Sequence, residues 1–596
     1  MKRTRILSLM LAVLMIAALM AGCTSNDPAA TNAPAATNKP AATNAPAATN
    51  APVEDTSVMN ATGFPIAKEM TTFTAMLKKD EADGKWEDLV VMQWLEETTN
   101  VHFEYDVFPD DDRYREQLNL NFLAGSYADV LIPRGGAVRW QDDEDYGKEG
   151  FVIDLTPLID EWMPNLKIFF GEKPDLKGGQ TASDGNIYGF PFYYQGGVGG
   201  NPHNWYMEPY WRIAAGWDYM PYTVDELNTF LYDIKALMDS GDYERPEEGM
   251  YVIGYANKYG MGPMANVTLT GYVGAICSPD NPWAVPNGKD VEFMVNHPGY
   301  RKTLELFRDW YRDGLITPDV FDLEGSAYNA NKAATKYATY NGSSSNLVPE
   351  LIRERVLPGV EDRGYFGCEA IRPLTSEFND TARVAYETVG TINQFLITDK
   401  CPNPEIIARW CDTFYNLNYD VTDNTVPNPM MFYKGFYDVH WKYTNDERTE
   451  WTFLDRPDGS TGDDGDTKIN WDYSRNFLLP GWSLPCGVYI DDAFADGSPM
   501  FIAKQVSNVT NEYPYCTSDT QFPRLARWTQ TEIDEAQTKL TEVQTYLNES
   551  WGLFMSGQKE LNDANWDAYL AELKALGCDD VTRVYQQVFD RWNANL

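Results

Sequence analysis

From about Ala61 onward, apolar positions switch repeatedly between helical and strand spacing. Leu89 to Glu97 predicts a helix, and Val101 to Phe108 (VHFEYDVF) predicts a strand by partial alternation and β-rich composition. Tyr114 to Ala124 reads as helix, Asp129 to Ile132 as a short buried strand, and Ile187 to Tyr194 as extended chain. A helix starts within Asp154 to Glu161, with Pro157 in its first turn. Thr223 and Glu226 form a capping box, in which hydroxyl and carboxylate satisfy orphan amides at a helix start. Leu227, Phe230, Leu231, Ile234, Leu237 and Met238 then follow at helical spacing until Gly241. Such alternation of helix and strand implies an α/β architecture.

The C-terminal pattern is different. Thr529 and Glu532 make a second capping box. Ile533, Ala536, Leu540, Val543, Leu547, Trp551 and Phe554 then mark one face of a long helix ending at Gly557. Trp566, Tyr569, Leu570 and Leu573 mark a second helix, closed by Gly577. Val581, Val584, Tyr585, Val588 and Phe589 mark a third. These stripes read as packing faces.

The N-terminus carries a different kind of signal. Lys2, Arg3 and Arg5 precede an apolar run, Ile6 to Met20, broken only by Ser8. Met20-Ala21-Gly22-Cys23 follows, so residues 1–22 read as a secretory signal peptide. A cysteine directly after Ala-Gly resembles a lipobox, which implies diacylation of Cys23. Residues 23–60 contain the repeat Thr31-Asn32-Ala33-Pro34-Ala35-Ala36 and its copies. One proline per period cannot build a core and makes a semi-extended tether. It would reach roughly 35 Å as a coil and up to about 115 Å as polyproline helix.

Composition bounds the rest. The chain of 596 residues is 43% hydrophobic and 14% aromatic, enough for a core and too long for a single one. A net charge of −40 repels nucleic acid and anionic lipid, so no nucleic-acid partner is expected. The eight cysteines are scattered, with no Cys-x-x-Cys pair, and His102, His203, His297 and His440 stand far apart. No metal or other cofactor is expected from that spacing. HExxH and G-x-S-x-G are both absent, so no catalytic residue is assigned and the chain is not read as an enzyme. The pairs Gly196-Gly197 and Gly199-Gly200 do not form G-x-G-x-x-G.

An ordered set of motifs carries a family resemblance. Glu96-Glu97-Thr98-Thr99-Asn100-Val101 is followed by Ala124-Gly125-Ser126-Tyr127-Ala128-Asp129-Val130. Leu155-Thr156-Pro157-Leu158, Met163-Pro164-Asn165 and Asp184-Gly185-Asn186-Ile187-Tyr188-Gly189-Phe190-Pro191 come next. Tyr311 to Pro318 (YRDGLITP) and Asn403-Pro404-Glu405, with Ala408, Trp410 and Asp412, complete the set before the Pro523 to Leu596 helices. The series resembles family 1 extracellular solute-binding proteins, the maltose-binding-protein-like receptors of ABC importers, in their large lipoprotein branch. Two departures stand out. The family's basic-x-Asp-Trp-Leu stretch reads Met207-Glu208-Pro209-Tyr210-Trp211, and Asp239 to Pro246 lacks the spacing of the calcium loop some relatives carry.

The resemblance implies a two-lobe, periplasmic-binding-protein-like (type II) fold with hinge crossovers near Val198, Gly390 and Pro523. Lobe I would comprise 61–197 plus 391–522, and lobe II 198–390 plus 523–596. It also implies an oligosaccharide or sugar-like ligand held between the lobes. The chain would be a monomer on the extracellular face of the membrane, held by its lipid and partnered with ABC permease subunits.

Sugar recognition needs flat aromatic faces and hydrogen-bonding side chains, and the chain has 18 Trp and 36 Tyr. Aromatics beside Gly- and Asn-rich loops are the better candidates. They are Trp140 with Arg134, Tyr193 and Tyr194, Trp205, Tyr340 with Asn341, and Trp482. Trp211 is added as the one residue kept from the altered family stretch. A surface glycan hydrolase or glycan-adhesion module on the same tether is the alternative.

Overall fold

The computed structural model describes residues 57–596 apart from 82, 135, 139–141, 197–204, 208, 241–249, 255–261, 324, 342–368, 386–388, 449, 463–464, 466, 481–483, 492–493, 496–512 and 518. Cys23, Trp140 and Trp482 lie outside these residues, as do the side chain of Tyr194 and the Gly241 helix stop.

Two sheets organise the body. The strands are β1 (Thr71–Lys78), β2 (Val101–Phe108), β3 (Val130–Ile132), β4 (Phe190–Gly196), β5 (Trp205–Met207), β6 (Tyr251–Ile253) and β7 (Tyr337–Asn341). They continue with β8 (Glu369–Ala370), β9 (Val389–Ile397), β10 (Trp441–Tyr443), β11 (Glu450–Phe453), β12 (Gly487–Asp491) and β13 (Phe494–Ala495). The larger sheet has the order β12-β4-β9-β3-β1-β2, and the smaller β8-β5-β7-β6. Each has its own hydrophobic core, so the molecule is a two-lobe α/β protein.

Register decides which edge of the larger sheet matters. β1 pairs in parallel with β2 and β3, and β12 with β4, whereas β9 runs antiparallel to both β3 and β4. Five strands therefore share one direction. Val389 of β9 pairs with Tyr194, near the carboxyl end of β4. The end of β4 and the start of β9 thus lie on one edge of the sheet, the edge that carries the carboxyl ends of the five strands. Open α/β sheets hold ligands at that edge.

The family motifs prove to be structural. Gly125 ends the Asp111–Ala124 helix at φ +66°, and Asp129 then accepts hydrogen bonds from the Thr74 amide (2.7 Å) and hydroxyl (2.8 Å) on β1. In the Asp184 to Pro191 string, Asp184 accepts from the Tyr188 hydroxyl at 2.7 Å. Gly189 admits β9 so closely that a Cβ would lie 2.8 Å from Asn393 Oδ1.

Expected elements differ at their ends. Ile187 to Tyr194 was expected as one extended segment, but the strand is Phe190–Gly196, preceded by the Asp184 turn. At the Val224–Ser240 helix the Thr223 hydroxyl accepts from the Glu226 amide at 3.1 Å, while the Glu226 carboxylate reaches the Tyr222 amide at 2.8 Å. The box is therefore displaced by one residue on its return side. The Thr529–Glu532 box closes fully on Gln530–Met555.

The last helix, Cys578–Asn595, serves both lobes. Val581, Tyr585 and Phe589 enter the lobe II core, whereas Val584, Val588 and Trp592 enter that of lobe I. Phe522 and Trp528, at the expected third crossing near Pro523, also touch both cores.

One buried carboxylate gives a pH prediction. Asp412 accepts from the Leu166 amide (2.9 Å) and the Asn165 amide (3.2 Å) at the start of the Pro164–Glu172 helix. Burial outweighs those bonds and pushes its carboxyl up to about 6. A carboxyl raised above its unfolded value stabilises the fold below about pH 4 and loses that contribution as pH rises through about 6. Urea unfolding at pH 4 and pH 7 should therefore show wild type losing about 2–3 kcal/mol relative to Asp412→Asn. Parallel pH profiles for the two proteins would contradict this.

Candidate functional site: the carboxyl edge and the lobe junction

A charged cluster lines the carboxyl edge of lobe I. Lys78, the last residue of β1, donates from Nζ to the Arg134 carbonyl at 3.0 Å and pairs with Asp111. Arg134, just past β3, returns a bond from its guanidinium to the Lys78 carbonyl at 3.3 Å. Its φ of +40° places it in the left-handed region, which is sparsely populated for residues other than glycine and recurs at functional sites. Lys79 is buried, with Nζ donating to the carbonyls of Asp80 (2.9 Å) and Asp83 (2.7 Å). Burial lowers the pKa of Lys79, opposed by Asp83, and burial likewise lowers that of Arg134. Cations and carboxylates alternate here, an arrangement able to donate to and accept from hydroxyl groups.

A cavity of about 610 Å³ lies at the junction of the lobes. Asn266, Cys277 and Trp283 line it from lobe II, Ala385 from just before β9, and Arg524 and Trp528 from the third crossing. Tyr585 stacks on Trp283 (4.9 Å between centroids, 8° between planes) and meets Trp528 edge-on (4.9 Å, 89°). The Tyr585 hydroxyl donates to Asn281 Oδ1 at 3.2 Å, and Trp283 Nε1 donates to the Thr582 hydroxyl at 2.9 Å. Asn266 Oδ1 is buried and accepts no hydrogen bond from the described residues. Burial pushes the Cys277 thiol up, which leaves it an unreactive neutral group. A smaller cavity of about 300 Å³ shares Gln521 to Arg524 as a wall.

Several aromatics expected at the ligand are packing residues. Trp205 and Tyr340 are 0% exposed and Trp211 1%, all within the lobe II core. Tyr340 and Asn341 were expected beside a Gly- and Asn-rich loop at the ligand. Instead Tyr337–Asn341 is an inner strand, in which Tyr340 pairs with Tyr206 and Asn341 with Trp205. Gly342 lies outside the described residues. Trp211 sits in the Pro209–Ala214 helix. Tyr193 is 1% exposed on β4, edge-on to Phe169 at 5.1 Å. Asn341 is half-buried, with its backbone bound both ways to the Tyr328 hydroxyl. Arg134 belongs to the charged cluster on the carboxyl edge.

The junction residues Asn266, Trp283 and Trp528 were missed. A signal existed for the first: the Gly262–Val273 helix holds no charged residue, and a lone amide among apolar neighbours marks a polar demand. Among the described residues no group of three or more His, Cys, Asp or Glu could hold a metal ion, and no helix is long and apolar enough to cross a membrane. Cys277, Cys401, Cys411, Cys486 and Cys578 are free thiols.

No protein-family model matches the chain. It is 24% identical over 554 residues to the fructooligosaccharide ABC transporter substrate-binding protein FusA of Streptococcus pneumoniae, covering 89% of this chain and 90% of the relative. The structure of the pneumococcal protein in complex with kestose superposes with a TM-score of 0.61 at 20% identity, covering 88% of this chain and 100% of that one. An HMO-binding solute-binding protein of Bifidobacterium longum infantis superposes with a TM-score of 0.64 at 18% identity, covering 87% and 99%. The chain is thus homologous over 89% of its length to an ABC transporter substrate-binding protein and has the two-lobe fold of that class.

Proposed function

We propose that the protein is a lipid-anchored extracellular receptor that binds an oligosaccharide between its lobes and delivers it to an ABC importer. The observation that carries this reading is the homology to a fructooligosaccharide substrate-binding protein over 89% of the chain, together with the shared two-lobe fold. The local chemistry agrees with it. The carboxyl edge supplies charged donors and acceptors, and the junction supplies aromatic rings beside the buried acceptor of Asn266. Three crossings at one junction suit a hinge, so ligand would be held by closure, and the closed form is what a permease would recognise.

Incubating the mature protein with kestose, maltotriose and lacto-N-tetraose tests receptor against hydrolase. A receptor retains one of these sugars and returns it intact. Shortened products would establish the hydrolase alternative.

The anchor has its own test. Ala21-Gly22-Cys23 and the Thr/Asn/Ala/Pro repeat behind it support diacylation at Cys23 and a tether that lifts the body off the membrane. Two acyl chains bind bilayers far more firmly than one. Cys23→Ala should move the protein from the membrane fraction to the medium or periplasm. A variant that stays membrane-bound would refute the anchor and leave the receptor reading in place.

A further inference from the structure

Trp471 is exposed at 41%, the one exposed tryptophan among the described residues. Its surroundings hold it rigidly. Tyr433 stacks on it at 5.2 Å and 25°, while Phe453 (5.3 Å, 81°) and Trp451 (6.1 Å, 83°) meet it edge-on. Trp451 and Tyr433 are themselves buried. A ring fixed on three sides loses little conformational freedom when something settles on its free surface.

Its place in the fold is defined by two connections. β11, which carries Trp451 and Phe453, pairs with β13, directly past the carboxyl end of β12. The segment after Trp471 lies against the loop that follows β1: the Gly84 amide donates to the Arg475 carbonyl at 3.1 Å, and Arg475 lies 3.9 Å from Asp83. Trp471 therefore stands on the carboxyl edge of the lobe I sheet, beside the Lys79–Asp83 cluster. Asp472 and Arg475, paired at 2.9 Å and both largely exposed, flank it with an acceptor and a donor. Ser474–Leu478 is a turn of π-helix, a rare form that recurs at functional sites.

We propose that Trp471 is a stacking platform for a sugar ring on the lobe I side of the cleft, with Asp472 and Arg475 hydrogen-bonding the hydroxyls at the ring's rim. The inference rests on the receptor reading above. A pyranose or furanose has an apolar C–H face that matches an indole and polar edges that match a carboxylate and a guanidinium. An exposed, buttressed indole edged by charge fits that combination better than it fits a protein partner, whose contact would also require the charges to be desolvated.

The test is calorimetric titration of the mature wild-type protein, W471A and W471F with kestose, maltotriose and lacto-N-tetraose, with a melting curve for each. W471A should weaken the retained sugar roughly ten- to a hundred-fold while melting as wild type does, and W471F should stay within about fivefold. W471A that melts normally and binds as tightly as wild type would overturn the platform alone. If W471A melts early, tryptophan emission decides. The sugar-induced change seen in wild type should vanish in W471F, and its persistence at full size would overturn the platform. A wild-type protein that binds none of the three would overturn the receptor reading, and the platform with it.

Discussion

Replacing Arg527 with Met should destabilise the protein by about 3–5 kcal/mol, because it leaves a buried carboxylate without its partner. The Arg527 guanidinium grips both oxygens of Asp143 and donates to the Gln180 carbonyl at 3.2 Å. The side chains are 8% and 0% exposed. Gln180 in turn donates to Asn393 Oδ1 at 2.7 Å, so the network joins the third crossing to β9, the strand that returns from lobe II. Burial pushes the Asp143 carboxyl up to about 6, with Arg527 opposing that rise. Without Arg527 the carboxyl should be protonated at neutral pH, which limits the loss. Asp143→Asn in the same chain should recover much of it, and urea unfolding of the two single variants and the double variant measures the coupling. A single variant as stable as wild type would mean that the pair contributes nothing beyond what an apolar side chain supplies.

The second large effect is expected at Trp205. Trp205→Ala should cost lobe II about 3–5 kcal/mol, as truncation of a fully buried aromatic does. The ring is 0% exposed, and the Trp205 carbonyl accepts from the Ile371 amide at 2.9 Å within the sheet of that lobe. A melting curve should show an earlier transition for lobe II, with any loss of sugar binding following from unfolding. Normal melting with weakened binding would return Trp205 to the ligand site, where its neighbouring glycines and asparagines first suggested it belonged.

These two cases show what was legible in the residues and why the rest was not. Val101–Phe108 appears as a strand with the expected ends, and the Thr529–Glu532 box caps the helix it was expected to cap. Both are local signals, set by side-chain alternation and by hydrogen bonds within four residues. The family landmarks were legible for the same reason: Asp129, Asp184, Gly189 and Asp412 each fix a close approach of the backbone. Ligand-facing residues leave no such trace. With 18 Trp and 36 Tyr, composition announces a use for aromatics but gives no orientation, and burial decided against Trp205, Trp211 and Tyr340. Trp471 could not be distinguished in advance, since its exposure depends on β10, β11 and β13 assembling from separate stretches of chain. The last helix shows the limit of periodicity. Val581, Val584, Tyr585, Val588 and Phe589 read as one stripe, yet they divide between two cores.

Calorimetric titration of the mature wild-type protein with oligosaccharides decides whether it is a sugar receptor. Saturable binding of at least one sugar is expected at about one site per chain, with a dissociation constant of about a micromolar or tighter, and with that sugar recovered unchanged. Heats no larger than dilution for every oligosaccharide tried, or a sugar returned in shorter pieces, would contradict the receptor reading.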